Sequence, residues 1–391
     1  MLNQSPLHDI HAQNEASFIP YGPEDCLSAV VETFGDLDME YAALRKGAVL
    51  FDAPHLGALR VTGGDRLSFL NNMVTAKSVD LTPGRSRPCF WLNHKGRIDA
   101  DLLMCEFEDE MLIILDRHLA ANTAGTLSSF VFAEDVEITD ASGELSILSI
   151  HGPKTRSLLD HAASEAPLAL DEPSSACRAT LGGVRLSALR QDLTGEIGVL
   201  LAIPRAGFAK VHKHLLATGE AHPETRARET GWLAINAARI EAGHPLFNVD
   251  FAPSSLPAES GVIEQRVSFE KGCYLGQEVV ARMHARNTRK QCIVALRVTD
   301  QQITTGHTDI RQPTTGSQVF EDTDNPDTPI GAVTSSTISP MLGAVPVCFA
   351  MLKDAYTKPG TKLRVLAEGA LVSAVVEPTL GFYSKPSTPQ P

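Results

Sequence analysis

Apolar positions along the chain change period repeatedly, and each change marks an expected element. Residues 25–34 and 39–45 carry apolar side chains at helical spacing, whereas 48–51 and 58–61 read as short strands. Gly63-Gly64-Asp65 is a turn whose aspartate is placed to cap a helix over 66–73. Strand-like stretches follow at 88–92, 99–107 and 111–116, the first two joined through Asn93-His94-Lys95-Gly96, where glycine supplies the positive φ of a tight turn. A helical run over 118–130 leads to strands at 136–139 and 144–150. Strands and helices mixed in this order predict an α+β sheet with helices on one face.

The Ser/Glu/Pro-rich stretch 163–175 reads as a surface connection to a second α+β unit, with strands near 184–189 and 197–203 and helices over 205–216 and 227–242. From 299 to 376 the chain turns to short strands punctuated by Gly, Thr and Pro, the pattern of a small β-barrel. The expected domains are therefore a flexible N-terminal arm (1–24), a first α+β domain (25–160), a second α+β domain (161–290) and a C-terminal barrel (291–385). The last residues, 385–391, hold three prolines and should fray. No repeat of fixed period stands out, which sets solenoids and propellers aside.

A chain of 391 residues exceeds what one core usually supports, in keeping with several modules. The 34 basic against 47 acidic residues give a formal charge of −13, a field that repels nucleic acid and acidic membranes, so neither is expected as a direct partner. Seven cysteines are scattered with no C-x-x-C, which argues against a disulfide framework or a zinc finger and fits a reduced cytoplasm; no metal ligands are assigned. The first residues lack a basic n-region and an apolar h-region and no 18-residue apolar run occurs, so neither export nor a membrane span is expected.

The motifs for nucleotide triphosphates, Rossmann cofactors, serine hydrolysis and zincin proteolysis are missing. What remains is Lys271-Gly272-Cys273-Tyr274-Leu275-Gly276-Gln277-Glu278, a shaped loop leading into a helix from about Gln277. A thiol beside Lys271 and a helix N-terminus should ionise readily, which makes Cys273 the candidate nucleophile or metal ligand; the alternative is a buried, inert cysteine. Arg282, His284, Arg286, Arg289 and Lys290 follow, either an anion-docking patch or a solvated face. Asp99 and Asp101, two apart on one strand, would share a face and either bind an amine-bearing ligand or sit exposed. Thr194-Gly195-Glu196 presents another carboxylate on a turn.

Taken together these segments resemble the aminomethyltransferase (glycine-cleavage T-protein) superfamily over about residues 40–380. The resemblance is carried by Leu50-Phe-Asp-Ala-Pro-His-Leu-Gly57, Gly96-Arg-Ile-Asp-Ala-Asp-Leu102, Arg239-Ile-Glu-Ala-Gly243 and Ile330-Gly-Ala-Val-Thr-Ser335, with the K-G-C-[FY]-x-G-Q-E motif of 271–278 resembling the YgfZ-type branch. It implies a three-module cloverleaf, two α+β folate-binding domains and a C-terminal β-barrel, around a central channel that binds tetrahydrofolate or a one-carbon derivative. By position, Leu56 falls where the family lines the folate site with a larger apolar side chain, and Glu196 falls where a carboxylate meets the pterin. Asp101 keeps the register of the carboxylate that acts near folate N10, while Ala100 replaces its neighbouring aspartate. Asp116 stands where T-proteins have asparagine, and Ile235 where they commonly have arginine.

Those departures argue against glycine cleavage itself. The resemblance points first to a cytoplasmic, monomeric folate-binding protein that assists assembly or repair of iron–sulfur clusters through Cys273, with iron–sulfur enzymes or assembly proteins as partners and tRNA-modifying radical enzymes among the clients. The alternative is a folate-dependent aminomethyltransferase or methyltransferase using Asp101; a further one is a folate-free interaction protein.

Overall fold

The apolar runs at 85–116 fold as antiparallel neighbours. A five-stranded sheet takes the order Arg85–Leu92, Ile98–Glu106, Met111–Asp116, Leu56–Thr62, Glu137–Asp140. Helices Arg66–Met73 and Arg117–Ser128 cover it, burying Phe69, Leu70, Ala120, Ala124 and Leu127 against Leu59, Ala100, Leu102 and Ile113. Each large side chain so buried contributes about 1.5–3 kcal/mol, enough to hold a short helix that would be marginal alone.

A second, six-stranded sheet takes the order Ala176–Leu181, Val184–Arg190, Gly198–Pro204, Leu145–His151, Val49–Asp52, Arg228–Glu229. Leu158 and Leu159 of helix Thr155–Ala162, and Val211 and Leu215 of helix Phe208–Ala221, pack on it. This sheet draws strands from both sides of the cut expected at residue 160. The two sheets interleave along the chain rather than following one another. Strand Ala176–Leu181, which follows the connection read over 163–175 and was not expected, pairs with Val184–Arg190 across Gly182-Gly183, both at positive φ. The helix expected over 227–242 begins at Trp232, because Arg228–Glu229 adds to the edge of the sheet beside Val49 and Leu50.

The structure, a computed structural model, describes residues 2–383 apart from 287, 300–301, 305–306 and 324–325, so the tail expected to fray lies outside the described residues. It divides into two compact units: residues 1–235 with 264–279, which holds both sheets, and residues 236–263 with 280–391. The second unit carries the expected barrel, closed by six strands in the order Gln291–Val298, Val345–Lys353, Gly331–Ser339, Gln318–Glu321, Lys362–Ala367, Ala370–Val376. Arg239-Ile-Glu-Ala-Gly243 staples that unit. The fully buried Asp250 accepts from Arg239 Nη1 (2.6 Å), the Leu246 amide (2.8 Å), Thr334 Oγ1 (2.9 Å) and Ser335 Oγ, while Glu241 accepts from Ser339 Oγ. Gly243, at φ +85°, lies so near Gly381 that a Cβ would come within 2.4 Å of its nitrogen.

Two expectations about the start of the chain fail. Residues 25–34 form strand Ser28–Thr33 rather than a helix; its first four residues are all buried, so no polar face marks its period. It pairs antiparallel with Ser17–Tyr21. Nor is 1–24 a loose arm: it holds helix His8–Gln13, and the buried His11 lies 3.1 Å from Asp52 and 3.2 Å from Glu229, which also faces His212 at 3.1 Å. Burial pulls the His11 imidazole down, but the two carboxylates outweigh it and lift its pKa to about 9. Asp65 does not cap helix Arg66–Met73; its carboxylate accepts from the Asp135 amide instead.

Because the folded-state pKa of His11 lies above the ordinary 6.5, its stabilisation is complete below about pH 6.5 and is lost as pH rises through 9. Buried His55 and His151, both pushed down to about 4 by burial, act in the opposite sense: their contribution is full above 6.5 and lost as pH falls toward 4. Urea unfolding should therefore find wild type more stable than His11→Gln by on the order of 3 kcal/mol at pH 6.5, with the gap closing by pH 9–10. A gap that stays constant with pH would mean that the imidazole is not charged in the folded protein.

Candidate active site

Between strands Val49–Asp52 and Leu56–Thr62 only Ala53, Pro54 and His55 carry the chain from one sheet to the other. Backbone bonds fix the crossing: the Ala53 amide donates to the Ile147 carbonyl (3.1 Å) and the Arg117 amide to the His55 carbonyl (2.8 Å). Rings gather around His55, with Tyr21 at 5.0 Å, Phe51 at 5.9 Å and Trp232 at 6.3 Å between centroids. The imidazole is neutral near pH 7, and its Nδ1 is buried without a hydrogen-bond partner. Leu56 pairs across the ladder with Asp116, whose Oδ1 accepts from Tyr21 Oη at 2.8 Å. Leu56 and Asp116 thus stand together beside the aromatic cluster.

Asp101 lies on the neighbouring strand. That strand pairs with Met111–Asp116 as far as Leu103↔Ile114, a ladder that ends two residues short of Asp101 on one strand and of Asp116 on the other. Arg266 grips it, Nε to Oδ1 at 3.0 Å and Nη2 to Oδ2 at 3.5 Å. Burial raises the pKa of the carboxyl, while Arg266 and the Leu102 amide oppose that rise. Arg266 is itself held through its carbonyl, which accepts from Thr75 Oγ1 at 2.7 Å. Asp99 instead accepts from Asn93 Nδ2 at 2.8 Å and braces the hairpin.

Glu196 stands on the other sheet's side, after a turn through Gly195 at φ +74°. It is buried and faces Arg45 Nη1 at 3.3 Å, a nitrogen that also donates to the Thr194 carbonyl at 2.9 Å. Thr194 Oγ1 is buried without a hydrogen-bond partner. Ile235 is 1% exposed and brings no polar group.

The loop 271–278 does not work as expected. Lys271, expected beside the Cys273 thiol, instead turns its buried Nζ to the carbonyls of Asn71, Val74 (2.6 Å) and Ala76 (3.1 Å), and burial lowers its pKa to about 8. It clamps the loop to the chain leaving helix Arg66–Met73. Tyr274 is buried too, its ring 5.0 Å from the Lys271 ammonium and its hydroxyl pushed up to about 12 by burial. At Gly276, φ +79°, a Cβ would meet the Asn93 carbonyl oxygen at 2.8 Å and Gly96 Cα at 3.0 Å, so the loop seats on the hairpin that leads into the Asp101 strand. Gly272 has open space around it. Gln277 and Glu278 open helix Gln277–Arg286, as the spacing predicts. Cys273 is exposed, whereas burial raises the thiols of Cys89, Cys105 and Cys348.

The structure thus brings Leu56, Asp116, Asp101 and the 271–278 loop onto or against the five-stranded sheet. Tyr21, Phe51, His55, Trp232 and Arg266 were missed as site residues. His55 lies inside a recognised motif and was legible there; Tyr21 and Arg266 arrive from distant segments and carried no signal.

Residues 7–271 match the family described as GCVT N-terminal domain, and 293–383 the glycine cleavage T-protein C-terminal barrel domain. Similar curated proteins include the aminomethyltransferase of Saccharopolyspora erythraea, 28% identical over 98% of both chains, and that of Bacillus subtilis, 25% identical over 98% of this chain and all of the relative. A mitochondrial aminomethyltransferase of Dictyostelium discoideum is 24% identical over 96% of this chain and 91% of its own. Among solved structures, the glycine cleavage system aminomethyltransferase T of Bartonella henselae superposes with a TM-score of 0.83 over 98% of both chains at 22% identity, a likeness of fold.

Replacing the clamp should be costly and replacing the thiol should not. Lys271→Met leaves buried carbonyls unmet and should destabilise the protein by about 3 kcal/mol, whereas Cys273→Ser should stay within about 0.5 kcal/mol of wild type. Denaturant midpoints of the two variants test this; equal midpoints would remove the structural role given to Lys271.

Proposed function

The chain belongs to the glycine-cleavage T-protein family, and from that premise we propose that it is a tetrahydrofolate-dependent aminomethyltransferase or methyltransferase. The observation that carries the reading is the end-to-end match, through both units, to relatives named aminomethyltransferase. The donor set suits a reduced pterin. His55 Nδ1 and Thr194 Oγ1 are buried polar atoms lacking partners, Glu196 and Asp116 are carboxylates able to accept from amino and ring N–H groups, and Tyr21, Phe51 and Trp232 offer aromatic faces. Tetrahydrofolate, when bound, supplies the nitrogens that accept the one-carbon unit. Asp101 is the group for charge and proton handling, and Arg266 positions it.

Ala100, Asp116 and Ile235 stand where the T-protein pattern has aspartate, asparagine and arginine, so the donor is set apart from the glycine-cleavage intermediate. A methylamine or methyl-sulfonium compound fits that departure. Wild type should transfer a one-carbon unit from such a donor to tetrahydrofolate. Asp101→Asn should lower kcat by about 100-fold or more while the tetrahydrofolate Kd, read by calorimetry, moves less than about threefold. Calorimetry showing no tetrahydrofolate binding by wild type would end this reading.

A second reading, support of iron–sulfur clusters with iron–sulfur enzymes as clients, is favoured by one observation. Cys273 is the exposed thiol of the chain, on a loop held by buried Lys271 and Tyr274. In a strain lacking the protein, Cys273→Ala should then fail to restore iron–sulfur enzyme activity while keeping wild-type folate binding. Full restoration by that variant would leave transfer chemistry as the sole reading.

A further inference from the structure

Elsewhere in the first unit, two histidines and a glutamate stand together. His161 closes helix Thr155–Ala162, and its neighbour is the turn that ends helix Phe208–Ala221, where His222 and Glu224 stand two residues apart. The two imidazoles stack, 3.7 Å between centroids and 5° between planes. His161 Nε2 and His222 Nδ1 each lie 3.5 Å from the same oxygen, Glu224 Oε1, and one donor atom from each of the three residues fits within a mutual 4.8 Å.

These separations are too long for good N–H···O bonds, whose usual range is about 2.7–3.2 Å. They lie near the spacing of two ligands on one metal ion, to which the rings turn their in-plane lone pairs by rotating out of the parallel stack. Two ligand atoms held about 2.05 Å from one zinc ion at a tetrahedral angle are about 3.4 Å apart. One metal cation bound by both imidazoles and the carboxylate satisfies all three groups at once. The side chains are 38–57% exposed, leaving water to complete the shell, and two imidazoles with one carboxylate form a donor set suited to zinc and its first-row neighbours.

We propose that His161, His222 and Glu224 form a divalent transition-metal site, zinc or a close first-row neighbour, that ties the end of helix Thr155–Ala162 to the end of helix Phe208–Ala221. The site is independent of the folate chemistry. The cysteine spacing gave no reason to look for it, because its ligands are histidine and carboxylate drawn from two helix ends.

Zinc chloride titrated calorimetrically into the metal-stripped full chain at pH 7.5 tests it. The expected result is one tight equivalent in wild type, lost in His161→Ala/His222→Ala and weakened more than tenfold in either single variant. Glu224→Gln should weaken it less, since the amide keeps an oxygen donor. Cobalt(II) at the same site should give visible absorption bands that the double variant lacks. Both histidines are partly exposed, so circular dichroism and the tetrahydrofolate Kd should be unchanged in the variants. Identical zinc isotherms for wild type and a folded double variant would overturn the proposal, as would no zinc uptake by wild type.

Discussion

Three residues, Ala53, Pro54 and His55, are all the chain between the six-stranded and the five-stranded sheet, and the first unit is arranged around that crossing. A return crossing is nearly as short, Ala141 to Glu144, between strands Glu137–Asp140 and Leu145–His151. Such connections leave no freedom to move one sheet without the other. Gly57, at the exit of the first crossing, shows how closely the backbones approach: a Cβ there would lie 2.4 Å from Ser142 Oγ and 3.0 Å from Arg117 Cα. Side chains at the crossing must therefore face whatever space the two sheets leave. That is where His55, Phe51, Leu56 and Asp116 stand, with Tyr21 and Trp232 closing over them.

The most specific motifs turn out to be structural before they are chemical. Lys271 spends its ammonium on carbonyls, Gly276 makes room for a hairpin, and in the other unit the buried Asp250 carboxylate is met by Arg239, the Leu246 amide, Thr334 and Ser335. A buried charge with all its hydrogen bonds met tolerates almost no substitution, because removing either partner strands the other at a cost of about 3–5 kcal/mol. A motif built on such groups identifies a fold sharply and says little about the reaction that fold performs. This explains how the 271–278 segment resembled one branch of the superfamily while the chain as a whole matches proteins named aminomethyltransferase.

What could be read from residues alone followed the same physics. Helix Arg66–Met73, the 93–96 hairpin and the barrel were legible because period and turn chemistry are local. The start of the chain was not. Helix His8–Gln13 is six residues long and strand Ser28–Thr33 buries consecutive side chains, so neither shows a clean period; both are held by contacts with residues far along the chain, His11 to Asp52 and Glu229 above all. Asp101 and Glu196 were found as positions, but not their guanidinium partners: Arg266 is 165 residues from Asp101, and Arg45 is 151 from Glu196. No spacing rule spans such distances.

Those partners constrain what Asp101 can do. An ionised carboxylate offers about four lone-pair sites. Arg266 engages both oxygens and the Leu102 amide contributes another bond, so little more than one site is left for a ligand. Burial raises its proton affinity above that of an ordinary carboxylate, and the guanidinium and the Leu102 amide offset only part of that rise. The carboxylate remains an oriented negative charge at low dielectric, which is what a cationic centre developing on a bound amine requires. In the proposed transfer, Asp101 then serves both as that charge and as a proton acceptor. Replacing it by asparagine keeps the shape, leaves Arg266 uncompensated, and reverses the field at the reacting nitrogen.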